Sequence, residues 1–450
     1  MKWLCNVLLN GERVNIGYNR CIEEIVPQVS ELPSAQGGFD GDGGLVLPGL
    51  HDHHLHFFAL AAARASVDCS ESTLDQLRER LAHHPQQGWL RLVNWDEAYL
   101  PNLDAPMLEG LCPGRPVRAQ HRSGKVWVLN NTACEMLNLN QVSLEGVERD
   151  AGGKITGRLF RMDRWLAEQL GPATLPVHEL SRELHSYGIT GFTDTSFTNN
   201  QARVDALYEL PFDVYAMGDD TLTSGHLKIM LDDDSLPALE NVVSRINAAR
   251  QLGRGVAFHC VSAVECLFAL NALQMAHPPQ GRLRDRIEHG GVIPREVYGQ
   301  IRDLDLVVVT QPGFLCHRGQ RFVTHMRHSG DPVEWLYPYQ SLLGAGIGVA
   351  ASSDAPYGPV NPWQVIDAAT ARVSEAGQSI CPQECVSAEE ALRGYLSTAH
   401  DPAGPARVLE VGEPATLCVL SQSHLGGSTL RDTQVRLTLK NGERLFEAGA

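Results

Sequence analysis

The sequence predicts a (β/α)8 barrel with an insertion after its first strand and a small β-sandwich formed by the two chain ends. Three observations predict this fold class. Eight short apolar segments end in polar residues, helical patterns separate most of them, and both chain ends alternate apolar and polar residues. The predicted boundaries are 1–47 and 404–450 for the sandwich, 48–403 for the barrel and approximately 60–185 for the insertion.

The two chain ends have the pattern of short antiparallel strands. Residues 1–47 contain the turn signal Asn10-Gly11 and a stretch rich in Gly and Asp at 37–44. Residues 404–450 contain "ATLCVL" and "QVRLTLKNGERLF", with the hairpin signal Asn441-Gly442. Asn-Gly pairs favour two-residue hairpins because both residues adopt positive φ readily. We therefore expect the two ends to form one small β domain, with the large domain inserted between them.

Eight segments from residue 48 onward have the composition of parallel barrel strands. In chain order they are "LPGLHDHHLH", "ITGFTDT", "FDVYAMG", "HLKIML", "GVAFHC", "DRIEHG", "LVVVTQP" and "IGVAASSD". Intervening stretches such as "SLPALENVVSRINAARQLG" have the periodicity of amphipathic helices. The gap between the first two strands, roughly 60–185, is far longer than a βα connection. It therefore predicts an inserted subdomain.

Composition and charge exclude several classes of function. The net charge is −16 and no clustered basic face is visible, so nucleic acid is not expected as a partner. The N-terminus lacks the features of a signal peptide, and no run of about 18 apolar residues predicts a membrane span. The 11 cysteines are scattered and form no CxxC pair, which indicates free thiols. We expect a cytoplasmic protein with a small-molecule partner, and the sequence leaves homo-oligomer formation open.

Residues that bind metals or move protons lie at the carboxyl ends of the predicted barrel strands, where TIM-barrel enzymes place their active sites. His54 and His56 are two positions apart on the first strand, so both side chains point to the same face. Imidazole and carboxylate groups suit Zn²⁺. The sequence therefore predicts a metal site, whose candidate ligands are His54, His56, Lys228, His259, His289 and Asp354.

Each candidate also has a structural interpretation when it is taken alone. Asp354 in "SSDAP" could cap a turn, and Lys228 could lie at a strand edge. The placement of these six residues on five separate strands in one compatible order favours the metal site over coincidence. Within "PGLHDHHLHFF" we interpret His51 and His53 as structural and Asp52 as a group that orients a ligand.

These motifs resemble the amidohydrolase superfamily. "PGLHDHHLH" is similar to its PGxxDxHxH signature, and "RIEHG" and "ASSDAP" resemble its strand-six histidine and strand-eight aspartate. Stretches such as "NWDEAYL", "YGITGFTDT" and "SSDAPYGPVNPW" resemble the amidohydrolase-3 branch, so the likeness covers nearly the whole chain. The resemblance implies a metal-dependent hydrolase of a C–N bond in an amide or imide that is not a peptide bond.

The resemblance also implies roles for the candidate ligands. His54 and His56 would bind the more buried metal together with Asp354, and His259 and His289 would bind a second metal. The implied cofactor is Zn²⁺, as one or two divalent ions, and both counts stay open. The metal would lower the pKa of a bound water toward about 7 and polarise the scissile carbonyl. Asp354 would take the proton of that water and pass it to the leaving nitrogen.

Lys228 takes the place of a lysine that, in this branch, can be N-carboxylated and bridge two metals. Addition of CO₂ to the neutral amine gives an anionic ligand with two oxygens, and neighbouring cations would favour that product. The sequence departs from the branch just after this lysine. "KIMLDDDSL" replaces the usual Asp-Gly-Ser arrangement and carries an extra residue before Ser235.

Several residues are expected to contact the substrate: Trp95, Asp96, Gln311, His317, Arg318 and Arg321. The stretch "CHRGQRFVTHMRH" follows strand seven as a predicted loop. An arginine clamp for a substrate carboxylate and a solvated basic loop are equally compatible with it.

The sequence leaves the substrate open among N-acyl, N-formyl and cyclic amides, and two other functions compete. A deaminase of this superfamily usually has a glutamate three residues after the strand-five histidine, where this chain has Ser262, and Glu265 lies six residues on. A catalytically inactive binding protein is disfavoured because the ligand set is complete.

Overall fold

The structure is a computed structural model that describes residues 1–28, 38–82, 88–171, 175–279, 281, 283–425 and 430–449. The chain divides into two compact units. The first unit comprises Met1–Phe57 and Ser181–Ala450, and the second comprises Phe58–Leu180. Among the described residues no helix is both long enough and apolar enough to span a bilayer.

The strands of the described residues alternate with helices through most of the chain. They are β1 (Lys2–Leu9), β2 (Glu12–Tyr18), β3 (Ile22–Pro27), β4 (Phe39–Pro48), β5 (Leu50–Leu55), β6 (Ser66–Asp68), β7 (Leu90–Trp95), β8 (Val117–His121), β9 (Val126–Leu129), β10 (Val147–Arg149), β11 (Ile155–Phe160), β12 (Ile189–Asp194), β13 (Asp213–Ala216), β14 (Leu227–Ile229), β15 (Val256–Cys260), β16 (Arg286–His289), β17 (Val307–Thr310), β18 (Gly348–Ala351), β19 (Leu417–Leu420), β20 (Val435–Lys440) and β21 (Glu443–Glu447).

The α-helices of the described residues are α1 (Phe57–Arg64), α2 (Leu74–Ala82), α3 (Ala105–Leu111), α4 (Asn131–Met136), α5 (Asp163–Leu170), α6 (Val177–Ser186), α7 (Gln201–Tyr208), α8 (Leu239–Gln251), α9 (Ala263–Met275), α10 (Tyr298–Asp303), α11 (Phe314–Ser329), α12 (Tyr339–Gly344), α13 (Pro362–Ala371) and α14 (Ala388–Leu396).

Strands from both chain ends pair in one seven-stranded sheet, in the order β21-β20-β19-β4-β1-β2-β3. All neighbours are antiparallel except β1 and β4, which run parallel. Both Asn-Gly pairs have positive φ, 51° and 86° at Asn10 and Gly11, and 49° and 75° at Asn441 and Gly442, as the tight hairpin requires. The two-layer sandwich predicted for these ends stays a prediction.

Each of the eight predicted barrel segments contains a parallel strand, and the α/β class is confirmed. Hydrogen bonding divides these strands into a sheet β13-β12-β5 and a sheet β14-β15-β16-β17-β18. The strands are apolar on both faces, as in "VVVT" of β17, because helices cover parallel sheets. Gly218 and Leu227 form an isolated parallel bridge between the two sheets. The described strands do not form one continuous ring of hydrogen bonds, so the closed barrel stays a prediction.

The second unit contains a six-stranded sheet in the order β10-β11-β9-β8-β7-β6. The sequence predicts an insertion at approximately 60–185, and this unit runs from Phe58 to Leu180. Leu92, Leu108 and Val128 are buried in one of its apolar clusters.

The basic stretch after strand seven is helical, so the predicted loop is wrong. It lies within α11, where Leu315, Gly319, Val323 and Met326 are buried. These positions recur every three or four residues, which is the period of a helix that buries one face. The many histidines and arginines between them make this apolar period hard to recognise in the sequence.

Candidate metal centre

The six predicted ligands line one cavity of about 310 Å³ in the first unit. Its polar lining comprises His54, His56, Lys228, His259, His289, Arg318 and Asp354. The site lies at the carboxyl ends of the parallel strands because each ligand is within one residue of the end of its strand or just beyond it. Chain segments separated by as many as 300 residues thus contribute to one site.

Asp354 lies close to three of the histidines of the site. Its Oδ1 lies 3.3 Å from Nε2 of His54 and 3.1 Å from Nε2 of His56, and its Oδ2 lies 3.9 Å from Nδ1 of His289. Burial raises the pKa of Asp354, but these histidines outweigh burial and hold the pKa well below its ordinary range. Asp354 is therefore an ionised carboxylate at the centre of the site.

His54 is held in one orientation by a buried carboxylate. Its Nδ1 lies 2.5 Å from Oε2 of Glu288, and Oε1 of Glu288 accepts a hydrogen bond of 2.7 Å from Nε of Arg286. Glu288 and Arg286 are fully buried. Because Nδ1 of His54 donates to Glu288, the Nε2 lone pair is left for the cavity, which is the tautomer that a metal ligand needs.

A second pair of histidines is arranged through Gln311. Nδ1 of His289 lies 2.8 Å from Oε1 of Gln311, whose Nε2 donates to Oγ of Ser352 and to the carbonyl of Val309. Nε2 of His289 lies 2.9 Å from Nδ1 of His259. Burial lowers the pKa of His289 well below its ordinary value and that of His259 to about 4. Both rings are therefore neutral, as metal ligands must be.

Lys228 is buried, and its Nζ has no hydrogen-bond partner among the described residues. Burial lowers the pKa of the amine, although Glu288 and Asp354 oppose this effect. A lysine of this kind is driven toward its neutral form, and the neutral amine is the form that reacts with CO₂.

The protein atoms fit a bound cation. Nε2 of His54, Nζ of Lys228 and Oδ1 of Asp354 are all buried and make no hydrogen bond. Ligand atoms of His54, His289 and Asp354 lie within 4.8 Å of one another. Two imidazoles and a carboxylate in so small a space suit a divalent ion such as Zn²⁺.

Two of these residues have left-handed backbone conformations, which non-glycine residues seldom adopt. The φ angles are 71° at His289 and 53° at Asp354. Each such residue costs of order 1–3 kcal/mol and persists where the surrounding structure demands it. At a strand end this conformation turns the side chain out of the regular alternation between the two faces of the strand. The alternation therefore does not predict where these two side chains lie.

Asp52 connects the first and last strands of the predicted barrel. Its Oδ1 accepts hydrogen bonds from the backbone N–H groups of His54, at 3.1 Å, and Ser353, at 3.2 Å. It therefore fixes the backbone on either side of the site. His51 and His53 bond to Thr193 and Ser397, away from the cavity.

The residues predicted to contact substrate separate into three groups. Arg318 lines the cavity, donates to the carbonyl of Tyr357 and stacks on Phe314. Gln311 is fully buried and positions His289, and its predicted contact with substrate stays a prediction. His317 pairs with Glu375 and Arg321 lines a separate surface cleft, so neither lines the metal-site cavity.

Trp95 and Asp96 belong to the second unit, and their role in substrate binding stays a prediction. Trp95 is 2% exposed in the apolar core of that unit, and its ring packs on His121. Asp96 pairs with Arg122 at 2.7 Å. Glu288 and Arg286 were not predicted, although an Arg and a Glu two positions apart in a buried strand signal an internal ion pair.

Parallel strands with histidines and carboxylates at one end define an α/β protein of the amidohydrolase type, and comparison with known proteins agrees. Residues 38–446 match the Amidohydro_3 model of the amidohydrolase family. The chain belongs to this family, whose members are hydrolases of carbon–nitrogen bonds other than peptide bonds.

The chain is similar to N-substituted formamide deformylase of Arthrobacter pascens, with 26% identity over 485 residues that cover 91% of this chain and 89% of the relative. Its fold is similar to that of an uncharacterised metal-dependent hydrolase from Pyrococcus furiosus, with a TM-score of 0.69, 21% identity and coverage of 94% and 99%. It also resembles the fold of atrazine chlorohydrolase from Arthrobacter aurescens TC1 in complex with zinc, with a TM-score of 0.54, 14% identity and coverage of 100% and 97%.

Proposed function

We propose that the protein is a metal-dependent amidohydrolase that cleaves the C–N bond of an N-substituted amide with a small acyl group. The observation that carries the proposal is that buried ligand atoms of His54, Lys228 and Asp354, none of which makes a hydrogen bond, line one cavity. The similarity to N-substituted formamide deformylase supports N-formyl compounds as the first substrates to test. N-acyl and cyclic amides are the next.

The proposed ligands are the six predicted residues, with Zn²⁺ as the first candidate ion and one or two ions per chain. When bound, the metal supplies a water of lowered pKa and polarises the scissile carbonyl. His54, His289 and Asp354 form the most compact group. His56 is held toward Asp354 by a bond of 2.9 Å between its Nδ1 and Oγ of Ser196. We propose carboxylation of Lys228 as the means by which its buried amine becomes a ligand.

Asp354 has the chemistry of the proton carrier. It is ionised, and its Oδ1 lies close to two histidines in the cavity but makes no hydrogen bond. Hydrolysis of an amide requires a group that removes a proton from water and delivers it to the leaving nitrogen, because an amide anion is too basic to leave. Asp354 can do both without moving from the cavity.

The remaining walls of the cavity are mainly apolar, with Phe197, Met230, Phe314 and Tyr357 around the ligand set. These side chains suit the apolar part of a small molecule. Arg318 is the cation of this lining, and we propose that it orients a polar or anionic group of the substrate.

We also propose that the eight parallel strands close as a barrel, which the hydrogen bond of 2.7 Å from Asp354 N to His54 O supports.

A deaminase is less well supported. Glu265 bonds to the backbone N–H groups of Val261 and Ser262 and completes the capping box of α9. A carboxylate used in this way caps the helix and does not face the ligand set.

The test of the proposal combines metal analysis with a substrate panel. We expect one or two equivalents of divalent metal per chain, and metal-dependent hydrolysis of N-substituted formamides, acetamides or cyclic amides. Removal of the metal should abolish turnover, and its return should restore it. A protein that binds no divalent metal and hydrolyses no amide in the panel would overturn the proposal.

Replacement of the proton carrier gives a second test. Asp354→Asn is nearly the same size, so we expect a folded protein whose kcat is lower by about three or more orders of magnitude. Circular dichroism checks the fold and single-turnover kinetics check the rate. Asp303→Asn, at an exposed residue of α10 outside the metal-site cavity, is the matched control and should not reproduce the loss. Near-normal turnover by Asp354→Asn would remove Asp354 from the role.

A further inference from the structure

A second cavity of about 280 Å³ adjoins the metal-site cavity. The two cavities share Val261, which lies two residues after His259. Gly291, two residues after His289, also lines the second cavity. Both cavities are therefore built on the same strand ends, and Val261 belongs to the lining of both.

The lining of this second cavity combines apolar residues with acidic ones. Val292, Phe322, Met326 and Leu336 supply much of the apolar surface. The carboxylate-bearing residues are Asp232, Asp233, Glu265 and Asp331. No Lys or Arg is among the described residues that line this cavity, which we call the acidic cavity. The lining thus combines a surface for an aliphatic chain with negative charge for a cation.

The carboxylates are held in place by neighbouring groups. Oγ of Ser262 donates a hydrogen bond of 2.7 Å to Oδ1 of Asp233. Oδ1 of Asp232 accepts from the backbone N–H of Asp234 at 3.1 Å, and Oδ2 of Asp331 accepts from Oγ of Ser329 at 2.9 Å. Preorganised carboxylates lose little entropy when they bind a cation.

Tyr337 supplies an independent indication of a ligand. It lines the acidic cavity, it is 2% exposed, and its hydroxyl has no hydrogen-bond partner among the described residues. Phe314 and Phe322 pack against its ring, so the side chain is fixed. Burial raises the pKa of Tyr337, so the hydroxyl stays neutral and can donate or accept. A buried hydroxyl without a partner is unfavourable, and a ligand that bonds to it removes that cost.

We infer that the acidic cavity binds the N-substituent of the substrate, and that this substituent is an aliphatic chain ending in an ammonium group. The inference rests on the proposed function, because a small acyl group remains at the metal site and only the nitrogen side of the amide can extend past Val261. The chain packs on Phe322 and Met326, and the ammonium lies between Tyr337 Oη and the carboxylates of the lining. The proposed substrates are mono-N-acylated diamines.

The experiment compares two substrates of equal length. N-(4-aminobutyl)formamide ends in an ammonium group, and N-pentylformamide ends in a methyl group of similar size. We expect the wild-type protein to have a kcat/KM about tenfold higher for the charged substrate. The double variant Asp232→Asn/Asp233→Asn should lower this ratio toward one, and Tyr337→Phe should lower it in part. Asp234→Asn, whose residue does not line the acidic cavity, is the matched control and should keep the wild-type ratio.

A binding arm separates failure of this inference from failure of the proposed function. Calorimetry with 1,4-diaminobutane alone requires no hydrolysis, and we expect the double variant to bind it about tenfold more weakly than wild type. Loss of all amide hydrolysis together with intact, variant-sensitive diamine binding would overturn the proposed function and support the acidic cavity as a cation site. Equal kcat/KM values for the two formamides in wild type, or diamine binding unaffected by the double variant, would overturn the inference.

Discussion

At the scale of single residues, the partner of each histidine decides which ring nitrogen faces the cavity. Glu288 takes Nδ1 of His54, and Gln311 takes Nδ1 of His289. Each partner holds a histidine in one tautomer, which improves a metal ligand by removing the cost of orienting it. The positive charge of Arg286 keeps Glu288 ionised, because burial alone would raise the pKa of this carboxyl and the net effect is a pKa well below its ordinary value.

The proposed role of Lys228 gives a sharp prediction at this scale. Lys228→Ala should lower metal content and activity, because a buried amine in the ligand set is replaced by a small apolar group. Short carboxylic acids added to the variant should partly restore both, since a free carboxylate can occupy the space left by a carboxylated lysine. Metal analysis and turnover with and without acetate check the prediction.

The matched control for this experiment is Lys154→Ala, at an exposed lysine of the second unit. It should retain wild-type metal content and show no response to acetate. Full metal content and a full rate in Lys228→Ala would show that the lysine is not a ligand.

The residue scale also shows what the sequence could and could not predict. The spacing of His54 and His56 places both rings on one face, and the structure directs both toward Asp354. Glu288 was not predicted because its partner His54 lies 234 residues away, and pairing across that separation depends on which strands become neighbours. The contact between Gln311 and His289 was not predicted for the same reason, because it depends on which strands become neighbours.

At the scale of elements, the two Asn-Gly turns of the terminal sheet provide a matched comparison. A Cβ on Gly442 would lie 1.6 Å from the carbonyl oxygen of Asn19, whereas a Cβ on Gly11 would meet no atom within 4 Å. Both glycines have positive φ. We expect Gly11→Ala to cost about 1 kcal/mol of stability and Gly442→Ala about 2–4 kcal/mol, because only the second adds a clash with the backbone.

Urea denaturation of the two variants measures this difference directly as a change in the free energy of unfolding. Equal losses in the two variants would show that the contact between the 441–442 turn and Asn19 is not formed. The sequence predicts both hairpins from the Asn-Gly pairs alone. It does not predict which of them lies against another segment, because that contact depends on the long-range pairing of the sheet.

Helix α6 carries a buried histidine whose titration should affect stability. The ring of His185 stacks on Phe212 at 4.3 Å, its Nδ1 bonds to the carbonyl of Ile189, and burial lowers its pKa to about 4. The folded protein therefore keeps His185 neutral, while the unfolded chain takes up a proton below about pH 6.5. The neutral His185 ring therefore makes its full contribution to the free energy of unfolding above pH 6.5. That contribution is lost as the pH falls toward 4, and the loss is at most about 3 kcal/mol.

This prediction is checked by urea unfolding of wild type and His185→Gln between pH 7 and pH 4. The glutamine can still donate to the carbonyl of Ile189 but does not titrate, so the wild-type free energy of unfolding should fall more steeply with decreasing pH. His328→Gln, at an exposed position of α11, should keep the wild-type slope. Identical slopes for wild type and His185→Gln would contradict the assignment.

At the scale of the whole molecule, the rhythm of strands and helices was predictable because buried parallel strands are apolar on both faces. The eight segments identified in the sequence each contain a strand. The pairing of the chain ends required more than local pattern, since β4 and β19 pair across 369 to 373 residues of sequence and no local signal specifies that pairing. The helix α11 was missed because its charged residues mask the spacing of the apolar ones.

The division of the chain into two units gives the last prediction. All six proposed metal ligands belong to the first unit, since none lies within Phe58–Leu180. A metal that binds the folded unit and not the unfolded chain stabilises that unit by about 2.7 kcal/mol at a metal concentration one hundred times Kd. Chelation should therefore speed amide hydrogen exchange in β5 and β16, by up to about 100-fold, because their opening is linked to loss of the site.

Exchange in β7, β8 and β9 of the second unit should change little, and added Zn²⁺ should restore protection in the first unit alone. Equal deprotection of both units, or none in either, would contradict a metal centre confined to the first unit.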